Sequence, residues 1–356
     1  MRPIRVAVVE DSMTIRKRLV AAIAADPELE FVGEAENGEG AIELSEKCRP
    51  DVITMDMMMP VMTGLAATEH IMAHHPTPIL IVSASTNRGE LFKIYDALAA
   101  GAVDVLEKPD GEEADGAWDA RFVSAVKLIS RIRVITHPRA RFEQLQRRKL
   151  EAARPKSSPA SSAISVIALG ASTGGPSALV EVLRGLPDWL QTPILVVLHI
   201  NEPFGSAFAT WLETQIGRRV VTAQDGAAVA SARGCIIVAP GGRHMVVRDH
   251  RIHLTLDPER HSCRPSIDAL FESVAVEYGA SSAACLLTGM GKDGALGLLK
   301  IREAGGITIA QDEMTSVVYG MPREAALLGA ATYVLPINEI GRRIATLQTS
   351  PVAAVQ

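Results

Sequence analysis

Asp56 closes the apolar run Asp51-Val52-Ile53-Thr54-Met55, and Glu10 and Asp11 close the run 4–9 in the same way. Ser83 follows the apolar run 79–82, and Lys108-Pro109 follows the run 103–106. In an open parallel sheet, functional groups gather beyond the carboxyl ends of the strands. Three carboxylates, a hydroxyl and an ammonium are therefore expected in one crevice. The carboxylates repel one another unless a divalent cation neutralises them, and an all-oxygen ligand set favours Mg2+ over zinc. Asp56 is then free to accept a phosphoryl group as an acyl phosphate. Lys108 balances the added charge, and the Ser83 hydroxyl donates to a phosphate oxygen. Taken singly, each residue is an ordinary strand-end cap or surface charge. Their order at the ends of four successive strands argues for one site.

A second set lies in the other half of the chain. The strand expected over 164–169 runs into Gly170-Ala171-Ser172-Thr173-Gly174-Gly175-Pro176, with a helical pattern from Ser177. Gly-x-Ser-x-Gly is the spacing of a nucleophile elbow, a tight strand-to-helix turn that exposes the hydroxyl. A phosphate-cradling loop is the competing reading, but neither Gly-x-Gly-x-x-Gly nor Gly-Lys-Ser/Thr is present. A serine needs a base to be nucleophilic at neutral pH. His199 ends the next strand, 193–198, and is the candidate. A third strand, 283–287, ends in Thr288-Gly289-Met290-Gly291-Lys292-Asp293-Gly294. Asp293 reads either as an N-terminal cap of the helix that follows or as the carboxylate that orients His199. Backbone N–H groups of Thr173 and Met290 are candidate oxyanion donors, each worth roughly 3 kcal/mol in acyl transfer. The chain order Ser172, His199, Asp293 differs from the familiar hydrolase and protease orders. His244, His250, His253 and His261, near Cys263, match no zinc spacing and fall in hairpin-like strands, 245–248 and 251–255. No cofactor is expected in this half.

The elements that must position these groups alternate as strand and helix in both halves, which argues for parallel sheets. The first half has strands expected at 4–9, 30–35, 51–56, 79–83 and 103–106. A length of 356 residues suits two domains, each with its own core. Between them, residues 131–156 hold nine basic against two acidic residues before Pro155-Lys156-Ser157-Ser158-Pro159, the composition of a flexible linker. The net charge of −5 gives no electrostatic footprint for nucleic acid. No apolar run approaches a membrane span. The N-terminus enters a strand with no signal peptide, and the four cysteines form no Cys-x-x-Cys pair, as expected of reduced thiols in a cytoplasmic protein.

With these residues in place, residues 1–125 resemble the receiver domain of two-component response regulators, through Glu10-Asp11, Asp56 in Asp-Met-Met-Met-Pro, Ser83-Ala84 and Lys108-Pro109. The resemblance implies a metal held by Asp11, Asp56 and the Met58 carbonyl, with Glu10 beside them, and a histidine kinase as phosphoryl donor. Val105 stands where that family usually carries an aromatic residue, and Thr63 where Asp is common. Residues 161–349 resemble the catalytic domain of the chemotaxis protein-glutamate methylesterases. The shared stretches are the 170–176 loop, Ala239-Pro240-Gly241-Gly242-Arg243-His244-Met245, Arg264-Pro265-Ser266-Ile267-Asp268, the 287–294 loop, and Gln311-Asp312 through Gly320-Met321-Pro322. Leu198-His199-Ile200-Asn201 departs from the family's usual Gln-His-Met-Pro type.

The resemblance thus implies an N-terminal flavodoxin-like receiver with a five-stranded parallel sheet. A helix and basic linker over 126–160 follow, then a doubly wound, mostly parallel α/β hydrolytic domain with an antiparallel hairpin. It implies a Ser172–His199–Asp293 triad acting on glutamate methyl esters, and on glutamines, of chemoreceptor cytoplasmic helices, under control of Asp56. The alternative is a phosphorylation-controlled binding module whose hydrolase half is inactive. A response regulator acting on DNA is a further alternative, but no helix-turn-helix pattern or basic output domain supports it.

Overall fold

The computed structural model describes residues 2–84, 88–109, 116–132, 134, 164–200 and 204–347. The chain forms two compact units, Met1–Arg154 and Pro155–Gln356. In the first, strands β1 (Ile4–Val9), β2 (Leu29–Ala35), β3 (Val52–Met55), β4 (Ile79–Ser83) and β5 (Asp104–Glu107) pair in parallel, in the order β2-β1-β3-β4-β5. The central strands β3 and β4 are buried along their whole length, as expected for strands covered by helices on both faces. From β1 the chain turns to β2 on one side and later to β3 on the other. The crevice beyond β1 and β3 is therefore the switch point where ligand groups converge.

β4 ends at Ser83, as expected for the strand 79–83, and the serine is buried. The expected boundary at residue 125 falls inside the helix Ala117–Ile129. Trp118, Phe122, Val126 and Ile129 of that helix all pack into the core with Val6, Val8, Leu80 and Val82, so the helix belongs to this unit throughout. Most of the basic linker lies outside the described residues.

The second unit holds a seven-stranded sheet. Its strands are β6 (Val166–Ala171), β7 (Ile194–Leu198), β8 (Val220–Thr222), β9 (Ile236–Val238), β12 (Ser282–Leu286), β13 (Ile307–Gln311) and β14 (Tyr333–Leu335). They run β14-β13-β12-β6-β7-β9-β8, every pair parallel. A separate antiparallel hairpin joins β10 (His244–Arg248) to β11 (Arg251–Thr255). Its turn residues Asp249 and His250 both have positive φ (50° and 56°), which suits the twist of a two-residue hairpin. The helix Ile267–Tyr278 holds the hairpin: Val247 N donates to Ser273 Oγ (2.9 Å), and Asp249 N and His250 N donate to the Glu277 carboxylate (3.1 and 3.0 Å).

One face of the sheet, through Val166, Ala168, Leu195, Val197, Ala284, Leu286 and Ala310, packs on Ile267, Leu270, Phe271 and Val274 of that helix and on Leu298 and Ile301 of the helix Ala295–Glu303. The alternation of 166 and 168 with the equally buried 167, 169 and 171 shows β6 covered on both faces. β6 and β12 flank the second switch point, since the chain runs from β6 through β7, β8 and β9 on one side before returning to β12 on the other. Among the described residues no helix is long and apolar enough to cross a membrane.

Phe271 is fully buried in this layer. Phe271→Ala is expected to lower the stability of the second unit by about 3–5 kcal/mol in urea unfolding. A loss below about 1 kcal/mol would contradict the packing described.

Candidate active site

β6 runs two residues further than expected, to Ala171, and the next helix starts at Gly175 rather than Ser177. The turn between them is only Ser172-Thr173-Gly174. Gly174 makes it possible: its φ is +74°, and a Cβ there would meet Val317 at 2.6 Å. Gly175 N donates to Ser172 O (2.6 Å), and Pro176 occupies the first turn of the helix Gly175–Arg184, where its missing N–H costs nothing. Ser172 is left half-buried at the strand's mouth.

β7 brings the second group. Ala171 pairs with Leu198, and His199 N donates to Ala171 O (3.0 Å), so Ser172 and His199 leave adjacent strands at the same level. The third group arrives from the loop after β12. Ser172 N donates to Thr288 O (3.0 Å), and Thr288 Oγ1 donates to Thr173 O (3.0 Å). A Cβ on Gly289 would stand 2.7 Å from Ser172 Cβ, so only glycine lets this loop lie against the serine. Asp293 Oδ2 lies 2.8 Å from His199 Nε2, and both side chains are largely buried.

The structure thus puts His199 and Asp293 in contact and sets Ser172 beside them. Among the described residues the Ser172 hydroxyl makes no hydrogen bond. Such a contact often tightens only when substrate binds. Thr173 N and Met290 N donate no hydrogen bond among the described residues, which leaves both available to an oxyanion. Met290 is exposed.

Asp293 does not cap its own following helix, whose N-cap is Gly294. Its carboxylate instead sits on the N-terminus of the helix Ile267–Tyr278. It accepts from Ser266 Oγ (2.8 Å), Ile267 N (2.7 Å) and Asp268 N (3.1 Å). Helix N-termini favour negative charge. Burial works against that charge, but the His199 hydrogen bond and these donors outweigh it and hold Asp293 below the usual carboxylate range. Burial likewise pulls the His199 imidazolium down. Its hydrogen bonds to Asp293 and Cys263 win, raising it to about 9.

The neighbouring histidines have other work. The buried His244 accepts from Ser266 N at Nδ1 (3.1 Å) and faces Pro258 O with Nε2 (3.1 Å), so it steadies the residue that binds Asp293. His250 lies 3.4 Å from Glu277, and His253 pairs with Val246 in the hairpin. His261 lies 3.2 Å from the buried Asp268. Cys263 Sγ is 3.5 Å from His199 Nδ1. The contacts of Ser266 with Asp293 and of Cys263 with His199 are not assigned by the sequence alone. A capping serine before an apolar helix was a visible signal for the first. Nothing local marked the second.

In the first unit, Glu10, Asp11 and Asp56 present oxygens within 4.8 Å of one another. Lys108 Nζ lies 2.9 Å from Glu10 and 3.0 Å from Asp56. Burial pushes Glu10 up to about 7, against the Lys108 hydrogen bond and with the help of the Asp56 charge; burial also raises Asp56, against Lys108. Glu10 is fully buried, and both of its carboxylate oxygens lie 2.9 Å from Lys108 Nζ. An oxygen-only set of three carboxylates with a single ammonium to offset their charge fits a small hard cation. Met58 follows Asp56 on the loop. Val105 lies on β5, half-buried.

An imidazole accepts a proton only when neutral, so with His199 assigned as the base esterase kcat/KM is expected to rise with pH toward about 9. Asp293→Asn removes the charge that favours the imidazolium, so the apparent pKa falls while the maximal rate drops steeply. A wild-type profile already flat at pH 6 would refute this assignment. Ser266→Ala is expected to cost about 1 kcal/mol of stability by loss of the helix cap and to lower activity through Asp293. Thermal melts and initial rates measure the two effects.

Comparison with known proteins agrees with this layout. Residues 167–344 match the CheB methylesterase family and residues 6–114 match the response regulator receiver domain. A protein-glutamate methylesterase/protein-glutamine glutaminase of Pseudomonas aeruginosa is 44% identical over 347 residues, covering 95% of each chain. One from Syntrophus aciditrophicus is 42% identical over 350 residues, covering 98% of this chain and 99% of its own. The crystal structure of the Thermotoga maritima CheB methylesterase catalytic domain aligns at a TM-score of 0.50 with 33% identity, over 52% of this chain and 100% of that one. A receiver sheet ahead of a seven-stranded sheet, with the serine, the histidine and the aspartate at its switch point, belongs to the protein-glutamate methylesterase/protein-glutamine glutaminase family, and this chain is a member of it.

Proposed function

We propose that the chain is a phosphorylation-activated hydrolase that removes methyl groups from glutamate methyl esters of chemoreceptors and deamidates receptor glutamines, in chemotaxis adaptation. The observation that carries this reading is the 2.8 Å contact of His199 with Asp293 at the mouth of β7, one strand from Ser172. Ser172 Oγ attacks the ester carbonyl while His199 takes its proton. Nδ1 is the nitrogen for that step, because Nε2 faces Asp293. The Asp293 carboxylate stabilises the imidazolium through each proton transfer. Thr173 N and Met290 N receive the oxyanion. His199 returns the proton to the departing methoxide, which leaves as methanol. Water then attacks the acyl-serine by the same route, restoring Ser172 and releasing the glutamate. With a glutamine substrate, ammonia takes the place of methanol.

In the receiver, Asp56 is the phosphoryl acceptor. Asp11, Asp56 and the Met58 carbonyl, with Glu10 beside them, would hold Mg2+, which would supply charge neutralisation for that transfer. Lys108 is already within ion-pair reach of Asp56 and offsets the incoming charge. Ser83 ends β4 on the same rim and donates to the phosphate. A histidine kinase is the donor, and chemoreceptor cytoplasmic helices are the substrate surface. The setting is the cytoplasm, with no nucleic-acid partner.

Ser172→Ala is expected to abolish methanol release from methylated receptor, a loss of at least about 10³-fold. Asp56→Ala is expected to keep the basal rate and to lose all stimulation by a small phosphodonor with Mg2+. Receptor mass spectrometry reads both reactions and names the sites. Methanol release that survives Ser172→Ala, or the absence of release from the wild-type chain, favours the binding-module alternative.

A further inference from the structure

Cys263 is the residue of the catalytic unit that the proposed mechanism does not use, and it lies on the working nitrogen of the base. Its Sγ stands 3.5 Å from His199 Nδ1, while Asp293 holds Nε2 on the far side of the ring at 2.8 Å. The three side chains offer S, N and O atoms within 4.8 Å of one another. The thiol does not reach this position by accident of a loose loop. Arg260 and Cys263 exchange backbone hydrogen bonds (3.2 and 2.9 Å) across a two-residue turn, and Arg260 forms a bidentate pair with Glu272 (2.6 and 2.7 Å) that ties the turn to the helix Ile267–Tyr278.

We infer that His199 Nδ1 and Cys263 Sγ form a binding site for a borderline-soft divalent cation, of which Zn2+ is the representative, and that its occupancy switches the esterase off. The distances carry the argument. Zinc–sulfur and zinc–nitrogen bonds of about 2.3 and 2.05 Å at a tetrahedral angle subtend an S···N edge of about 3.5 Å. That edge is already present, so binding needs no change in the separation of the two ligand atoms. A carboxylate on the other ring nitrogen is the usual outer partner of a metal-bound histidine, fixing its tautomer and orientation. Asp293 stands there with its remaining acceptor sites filled by Ser266, Ile267 and Asp268. On binding, the Cys263 thiol releases its proton to solvent and His199 binds as the neutral Nε2–H tautomer. Water completes the coordination. Thiolate and imidazole select zinc or cobalt over Mg2+, so this site and the all-oxygen receiver cluster take different ions.

The test uses the full chain with Co2+ as a spectroscopic probe. Wild-type protein is expected to develop a sulfur-to-cobalt charge-transfer band in the near ultraviolet. Cys263→Ser and Cys263→Ala abolish it, while Asp56→Ala retains it. Asp293→Asn weakens cobalt affinity about 10–100-fold. A second measurement needs no variant: Zn2+ slows alkylation of Cys263 by iodoacetamide, read by peptide mass spectrometry, and leaves Cys235 unaffected. Absence of the band at millimolar Co2+, its persistence in both Cys263 variants, or unprotected alkylation of Cys263 overturns the site. The binding readouts do not depend on the triad reading; the inhibition does. Zn2+ inhibition of methanol release is expected to be reversed by EDTA and to require at least about tenfold more Zn2+ in Cys263→Ser. Binding without inhibition overturns the switch while leaving the site.

Discussion

The catalytic unit depends on one carboxylate. Asp293 is buried, and a buried charge is tolerated only when its hydrogen-bonding capacity is met. Three donors at the start of the helix Ile267–Tyr278 meet it, and the fourth contact is the imidazole of His199. Much of the surrounding architecture secures this arrangement. The helix is pinned to the sheet by Ile267, Leu270, Phe271 and Val274, and its cap residue is held by His244 from the hairpin. The hairpin therefore serves the site at one remove, by steadying Ser266. The same interaction sets the chemistry of His199, whose imidazolium is favoured where the ring will carry a proton.

The receiver solves the opposite problem with similar means. There three carboxylates converge on a single ammonium: Glu10 and Asp56 share Lys108. A site short of positive charge suits transient occupation by a cation and a phosphoryl group. A site whose charge is met by fixed dipoles suits repeated proton transfer with little reorganisation. Both clusters occupy the switch point of a parallel sheet, and both draw residues from the ends of strands distant in sequence.

Much of this was legible in the residue order. Apolar runs closed by Glu10-Asp11, Asp56, Ser83 and Lys108 marked the strands and their functional rim. Ser172 within its glycines and His199 after an apolar strand marked the second. The places where the reading slipped have local causes. β6 was cut short at Leu169 because Gly170 and Ala171 look like turn residues, whereas Gly170 is demanded by Ile267, which fills the space a Cβ would need. The helix Ala117–Ile129 was divided at 125 because its apolar positions say nothing about which core they enter. For Asp293 two readings stood side by side, a cap of the following helix and a partner of His199, since capping preferences are read from neighbours in the chain.

By itself, then, the sequence determined the two α/β units, the parallel sheets and the identity of the groups at the strand ends, because period and turn chemistry are local properties of the chain. Only the tertiary structure decided which helix terminus receives Asp293, which histidine steadies the cap and that Cys263 faces the base. Those contacts join residues far apart in the sequence through helix-on-sheet packing, and no local pattern encodes the register in which two packed elements meet.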